Sequence, residues 1–196
     1  MVTSIDKLKR SLLYSEELGI ELRKDNDDEL FKWFLASILF GARISETVAK
    51  NTYRTFEKYK LLEPQKILKA GWDFLVNPIM REGGYVRYDF KTSTKILKIC
   101  ETLIREYEGS LKKLHEESKD MKDLENELLN FYGIGPVTVN IFLRELRPFW
   151  GKANPDPLPV VRKIAQKLGI ALNEFNRKSL TFTRIEAGLI RLRRSA

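Results

Sequence analysis

The sequence predicts an all-α protein. Apolar residues recur at helical spacing along most of its 196 residues, and no stretch shows the alternation of a half-buried strand between turn signals. Prolines and glycines also fall where helices would start and stop. A hydrophobic content of 43% argues against wholesale disorder. The length suits one domain or two small lobes, enough for a real core.

The elements follow in order. Glu29 to Phe40 is apolar almost all round, predicting a mostly buried helix that ends near Gly41. Ser45 can cap the next helix, which carries Val48, Tyr53 and Phe56. Pro64 suits the first turn of a short helix with Ile67 and Leu68, and Trp72-Asp73-Phe74-Leu75 can start another. Lys91 to Tyr107 is a long amphipathic helix with Ile96, Ile99, Leu103 and Tyr107 on one face. A polar charged stretch, His115 to Asp123, precedes a helix through Leu124, Leu128 and Leu129.

Next comes Phe131-Tyr132-Gly133-Ile134-Gly135-Pro136-Val137-Thr138. Two glycines around one apolar residue permit a tight turn, and Pro136 suits the first position of the following helix. That helix should end before Pro148. Pro155, Pro157 and Pro159 then stiffen the chain around Asp156, and Pro159 opens a helix stopped by Gly169. The basic run Arg191-Leu192-Arg193-Arg194 reads as a solvated end. Trp33 and Trp72 lie in apolar runs and are expected in the core, whereas Trp150, beside the prolines, is a candidate pocket residue.

Charge and rare residues narrow the function. Lys plus Arg exceed Asp plus Glu by 35 to 27, a formal net charge of +8 that favours an anionic partner. The lone Cys100 excludes an internal disulfide and a four-cysteine cluster, and reads as a small buried apolar residue. The single His115, among Lys113, Glu116 and Glu117, reads as part of a solvated surface rather than a base. No secretory signal or membrane-length apolar run is present, so an intracellular, cytoplasmic or nucleoid-associated protein without membrane contact is expected.

The turn has a specific chemical meaning. Backbone N–H groups around Gly133, Gly135, Val137 and Thr138 would converge at a helix N-terminus, a natural phosphate seat. Asp156 stands 21 positions beyond Gly135. The run Leu128 to Asn140, with Thr138, Asn140 and Phe142 in a Thr-x-Asn-x-Phe pattern and Asp156 downstream, resembles the helix-hairpin-helix DNA glycosylases. Within that superfamily it is most similar to the 3-methyladenine glycosylase II and endonuclease III-like branch. Ile38 to Ser45 and Gly83 to Lys91 resemble, more weakly, two further loops of the family, with Ala42 and Arg43 in place of two glutamines.

The resemblance implies a two-lobed helical unit: residues 28–135 as a central lobe ending in the hairpin, and 1–27 plus 136–196 as the second. It implies duplex DNA carrying a damaged base as partner, a monomer, and no required cofactor. A structural K⁺ or Na⁺ held by hairpin carbonyls near Tyr132 and Ile134 is also implied. The iron–sulfur cluster of some relatives is excluded by the cysteine count.

Excision needs three tools. The first is the sequence-indifferent phosphate anchor. The second is a wedge to fill the gap left by an extruded nucleotide, for which Tyr85, Arg87 and Tyr88 on one loop and Arg43 and Ile44 on the other are candidates. The third is a carboxylate, Asp156, to stabilise the oxocarbenium-like sugar and orient water. Strand-cleaving relatives carry a nucleophilic lysine two residues after the second glycine, where this chain has Val137. Monofunctional hydrolysis, with an alkylated base as lesion, is therefore the expected reaction, and Lys152 and Lys163 are the lysines nearest Asp156 in sequence. Two alternatives remain. One is a non-enzymatic helix-hairpin-helix DNA-binding protein that keeps only the anchor, and the other is a helical module that binds protein or RNA.

Overall fold

A computed structural model describes residues 4–193. Among the described residues the fold is all-α, with no strand. The helices are α1 (Ile5–Lys9), α2 (Tyr14–Glu17), α3 (Asp27–Phe40), α4 (Glu46–Lys58), α5 (Pro64–Phe74) and α6 (Asp89–Tyr107). They continue with α7 (Leu111–Glu117), α8 (Met121–Asn130), α9 (Pro136–Leu146), α10 (Pro159–Lys167) and α11 (Leu180–Leu192). None of them is long and apolar enough to cross a membrane.

Helix α3 lies at the centre because its sequence leaves it no solvent face. The Asn26 side chain accepts from the Glu29 N–H at 2.9 Å, and Asp27, Asp28 and Glu29 place negative charge at the positive end of the helix dipole. Leu30 and Phe31, then every residue from Trp33 to Leu39, are buried. Trp33 donates its indole N–H to the Phe142 carbonyl at 3.0 Å, and Phe34 packs on Phe142 with ring centroids 4.9 Å apart. These contacts lock α3 to α9. At the C-terminus of α3, Gly41 permits a close approach: a Cβ there would lie 2.1 Å from Thr138 Oγ1. The end of α3 therefore meets the start of α9.

Helix α4 packs beside α3, α5 against α6, and α10 against α11, while α1 lies on α11. The N-terminal segment is also pinned by charge. Buried Glu145 on α9 accepts the N–H groups of Tyr14 and Ser15, both at 3.0 Å, so a carboxylate sits at the start of α2. Arg184 and Arg191 of α11 pair with Glu16 and Glu17 at 2.5 and 2.9 Å.

Helix α7 runs to Glu117, capped by Ser110, and α8 begins at Met121. Three expectations are corrected. His115 stacks on Trp150, ring centroids 4.3 Å apart, and its Nε2 is buried without a partner. Trp72 is 39% exposed, beside Phe90, because Gly71 at φ +76° breaks α5 and turns the following turn outward. Finally, the basic run at the end is structured through Arg193: Arg191 bonds the Leu12 carbonyl at 2.8 Å and lies over the Tyr14 ring. Arg194 lies outside the described residues. Cys100 is buried as expected, and burial pushes its thiol pKa up.

Candidate nucleic-acid interface

The turn between α8 and α9 is built as its glycines require. Phe131 is extended, Gly133 has φ +71°, and the Ile134 N–H closes the turn on the Phe131 carbonyl at 3.1 Å. Gly135 is the N-cap of α9, and no side chain caps that end. The first amides of α9, those of Val137 and Thr138, thus lack a side-chain acceptor, and their helix-dipole end favours an anion. Gly133 and Val137 are exposed. Thr138 is different. Its side chain is buried against Gly41, so only its N–H can serve a phosphate.

Lysines surround this turn. A groove of about 320 Å³ or larger flanks it on each side. The larger, about 480 Å³, is lined by Phe90, Lys91, Thr94, Lys95, Tyr132 and Gly133. Lys98 places its ammonium 4.1 Å from the Tyr132 ring centroid. The Lys95 stem lies against Gly133, where a Cβ would fall 2.8 Å from its Cδ, so only glycine lets the two approach. Burial pushes the Lys95 pKa down. The carbonyls of Tyr132 and Ile134 accept no backbone N–H among the described residues. No cluster of three His, Cys, Asp or Glu side chains able to hold a metal occurs among the described residues.

The second groove, about 320 Å³, contains Asp156 together with Glu125, Pro136, Asn140 and Arg162. The chain from Trp150 to Leu158 cannot form a helix, so its carbonyls need other partners. Cations supply them. Lys178 donates to the carbonyls of Trp150, Gly151 and Ala153 at 2.8, 2.9 and 2.8 Å. Arg147 donates to that of Pro155 at 2.7 Å, and Arg177 to those of Asn154 and Pro155 at 3.1 and 3.0 Å. Asn140 donates to the Asp156 carbonyl at 2.7 Å, tying this segment to the helix that starts at the turn.

The Asp156 side chain is 71% exposed and pairs with Arg177 at 2.9 Å and Arg162 at 3.3 Å. Exposed ion pairs of this kind contribute about 0–1 kcal/mol, so the carboxylate can turn away at small cost. Glu125 faces the same groove, and burial, then the charge of Asp156, raise its carboxyl pKa. The sequence reading did not single out Glu125, because one acid among several on a charged helix carries no local signal.

A third space lies on the other flank of α9. It is a cavity of about 60 Å³ between Phe40, Ile44, Ala49, Val137, Ile141 and Leu158, with Tyr14, Glu46, Arg144 and Arg193 also on its walls. Val137, Ile141 and Arg144 follow helical spacing and so share a face of α9. Leu158 lines both this cavity and the Asp156 groove.

The predicted wedge residues divide. Arg43 is exposed and Ile44 lines the cavity. Arg87 and Tyr88 are exposed and stack on each other, 4.9 Å from guanidinium to ring centroid. Tyr85 is not available: it is buried, with its hydroxyl 2.8 Å from Thr92 Oγ1. Val86, 73% exposed, takes the outward position instead. Trp150 is likewise a core residue, sandwiched against His115 and Phe142 and bonded to Asp25 at 2.9 Å, so it is not a pocket wall. Lys152 caps the end of α7, donating to the His115 and Glu116 carbonyls at 2.6 and 3.0 Å, whereas Lys163 is exposed on α10.

No protein-family model, no curated protein and no solved structure matches this chain.

Proposed function

We propose that the protein binds duplex DNA through the α8–α9 turn and excises a damaged base as a monofunctional glycosylase. The observation that carries the reading is the arrangement around α9. Its uncapped N-terminus offers amides to a phosphate, with a base-accepting cavity on one flank and Asp156 on the other. A nucleotide anchored at Gly133–Thr138 has its sugar between these two flanks, near Leu158.

The chemistry follows from that placement. As the bond from C1′ to the base nitrogen breaks, positive charge grows on the sugar, and the Asp156 carboxylate stabilises it electrostatically. Water adds to C1′ and loses its proton to the same carboxylate, while the base leaves with the bonding electrons and takes a proton from solvent, to which Asp156 then returns its own. Val137 supplies no amine, so no Schiff base forms from that position.

One observation favours a second reading. Arg162 and Arg177 both pair with the Asp156 carboxylate, an arrangement that also suits a protein that binds DNA without cutting it. Duplexes with single lesions separate the two, resolved with and without alkali for wild type and Asp156→Asn. Alkali-dependent cleavage that falls at least about 100-fold in the variant, with DNA affinity unchanged, supports excision. Salt-sensitive binding without cleavage of any lesion supports the binding-only reading.

A further inference from the structure

Arg144 is a buried cation whose hydrogen-bonding capacity the protein leaves unused. It lines the cavity between Phe40, Ile44, Val137 and Leu158, and it is only 1% exposed. Its Nε and Nη1 are buried with no hydrogen-bond partner. Its nearest carboxylate, Glu145, lies 3.8 Å from Nη2, beyond hydrogen-bond range, and is already engaged by the Tyr14 and Ser15 amides. A buried guanidinium with two idle donors is costly unless something accepts from it. Arg147 three residues on leaves only its Nε idle, because Glu186 and the Pro155 carbonyl occupy Nη1 and Nη2.

The rest of the lining indicates what that acceptor is. Glu46 is engaged by Lys50 at 2.8 Å and by the Tyr14 hydroxyl at 3.4 Å, so its charge is offset. Arg193 adds a second guanidinium to the walls. The remaining lining is largely apolar, which suits a flat ring and strengthens electrostatics by excluding water. A cationic ligand would meet net positive charge, and an apolar one would leave the donors unpaired. At about 10–15 Å³ per water, 60 Å³ holds on the order of five waters, close to a single six-membered ring.

Resting on the glycosylase reading above, we infer that this cavity selects a neutral base presenting carbonyl oxygens, with a uracil-type pyrimidine fitting best, and discriminates against positively charged alkylated purines. Arg144 is then the specificity-determining contact, donating to a carbonyl of the extruded base. An alkylated purine, the lesion suggested by the family resemblance, would place like charge against a desolvated guanidinium.

Binding tests this apart from excision. Duplexes would carry a single 2′-fluoro nucleotide of uracil, hypoxanthine or 7-methylguanine, because the fluorine destabilises the sugar cation and prevents cleavage. Affinities would be compared with an undamaged duplex for wild type, Arg144→Met and Arg144→Gln, with thermal unfolding confirming that each variant folds. Wild type should prefer uracil, then hypoxanthine, over 7-methylguanine. Arg144→Met should lose roughly 10- to 100-fold for the carbonyl bases, the value of a charge-assisted hydrogen bond, and Arg144→Gln should lose less. Undamaged DNA should bind all three proteins alike. A preference for 7-methylguanine, or no change in any preference in either variant, overturns the inference. Failure of the corresponding unmodified lesions to be cleaved would count against the glycosylase reading alone, since the binding preference is read without cleavage.

Discussion

At the scale of single residues, His115 shows how an unremarkable position acquires a physical role. Burial, then the Lys152 charge, push its pKa below the ordinary value, although Asp25 and Glu116 oppose them. The unfolded chain therefore takes up a proton near pH 6.5 while the folded one resists. Its contribution to stability is complete above about pH 6.5 and is lost as pH falls towards the folded pKa, with a slope bounded by one proton. Chemical denaturation from pH 7.5 to 5 should show this loss, and His115→Phe, which keeps a ring against Trp150, should flatten it. An identical pH profile in the variant would refute the assignment. Residue identity in the sequence did not disclose this. His115 sits among charges in sequence but against an indole in space, just as Tyr85 sits on a glycine-led loop yet turns inward to Thr92. That Asp156 lies on a proline-stiffened, non-helical segment was legible from the three alternating prolines. Arg144 was not, since an arginine in an apolar helix normally reaches solvent.

At the scale of elements, the long helices were legible because each carries its own periodicity and stop signals. Pro64, Pro136 and Pro159 all stand at the first position of a helix, and Ser45 caps α4 through the Val48 N–H at 3.1 Å. The short α1, α2 and α7 carry too few apolar residues to declare themselves: α1 and α7 depend on packing against α11 and α3, and α2 on the Glu145 carboxylate of α9. The turn before α9 was readable down to its glycines, but its lysines come from α6 and needed the fold to bring them there. That juxtaposition yields a trade-off. Lys95 keeps an ammonium in a partly desolvated place beside Gly133, a cost that a phosphate would repay. Lys95→Met should raise the melting temperature of the free protein slightly while weakening binding to any duplex regardless of sequence. The slope of log affinity against log salt should shrink by about 0.9, the value of one phosphate contact. An unchanged salt slope would remove Lys95 from the interface.

At the scale of the molecule, charges rather than apolar pattern decide how distant segments meet, which is the part least visible in sequence. Glu145 joins α9 to the Tyr14–Ser15 backbone across 131 positions, and no local rule anticipates such a partner. Arg147, just past the end of α9, and Glu186 of α11 form a fully buried pair. Through Nη2, Arg147 also holds the Pro155 carbonyl, one residue from Asp156. A buried pair adds little net stability over apolar residues of the same shape, but removing one partner strands the other. Glu186→Gln should therefore destabilise the protein by about 3–5 kcal/mol, read as a lower denaturant midpoint with unchanged slope. Replacing both partners with apolar residues, Arg147→Met with Glu186→Leu, should recover much of that loss. On the glycosylase reading it should not restore excision, because the Pro155 carbonyl keeps only Arg177 of its two guanidinium donors and the Asp156 segment loosens. Recovered stability with full excision would show that the buried pair serves packing alone, whereas recovered stability with impaired excision and intact DNA binding would show that it positions Asp156.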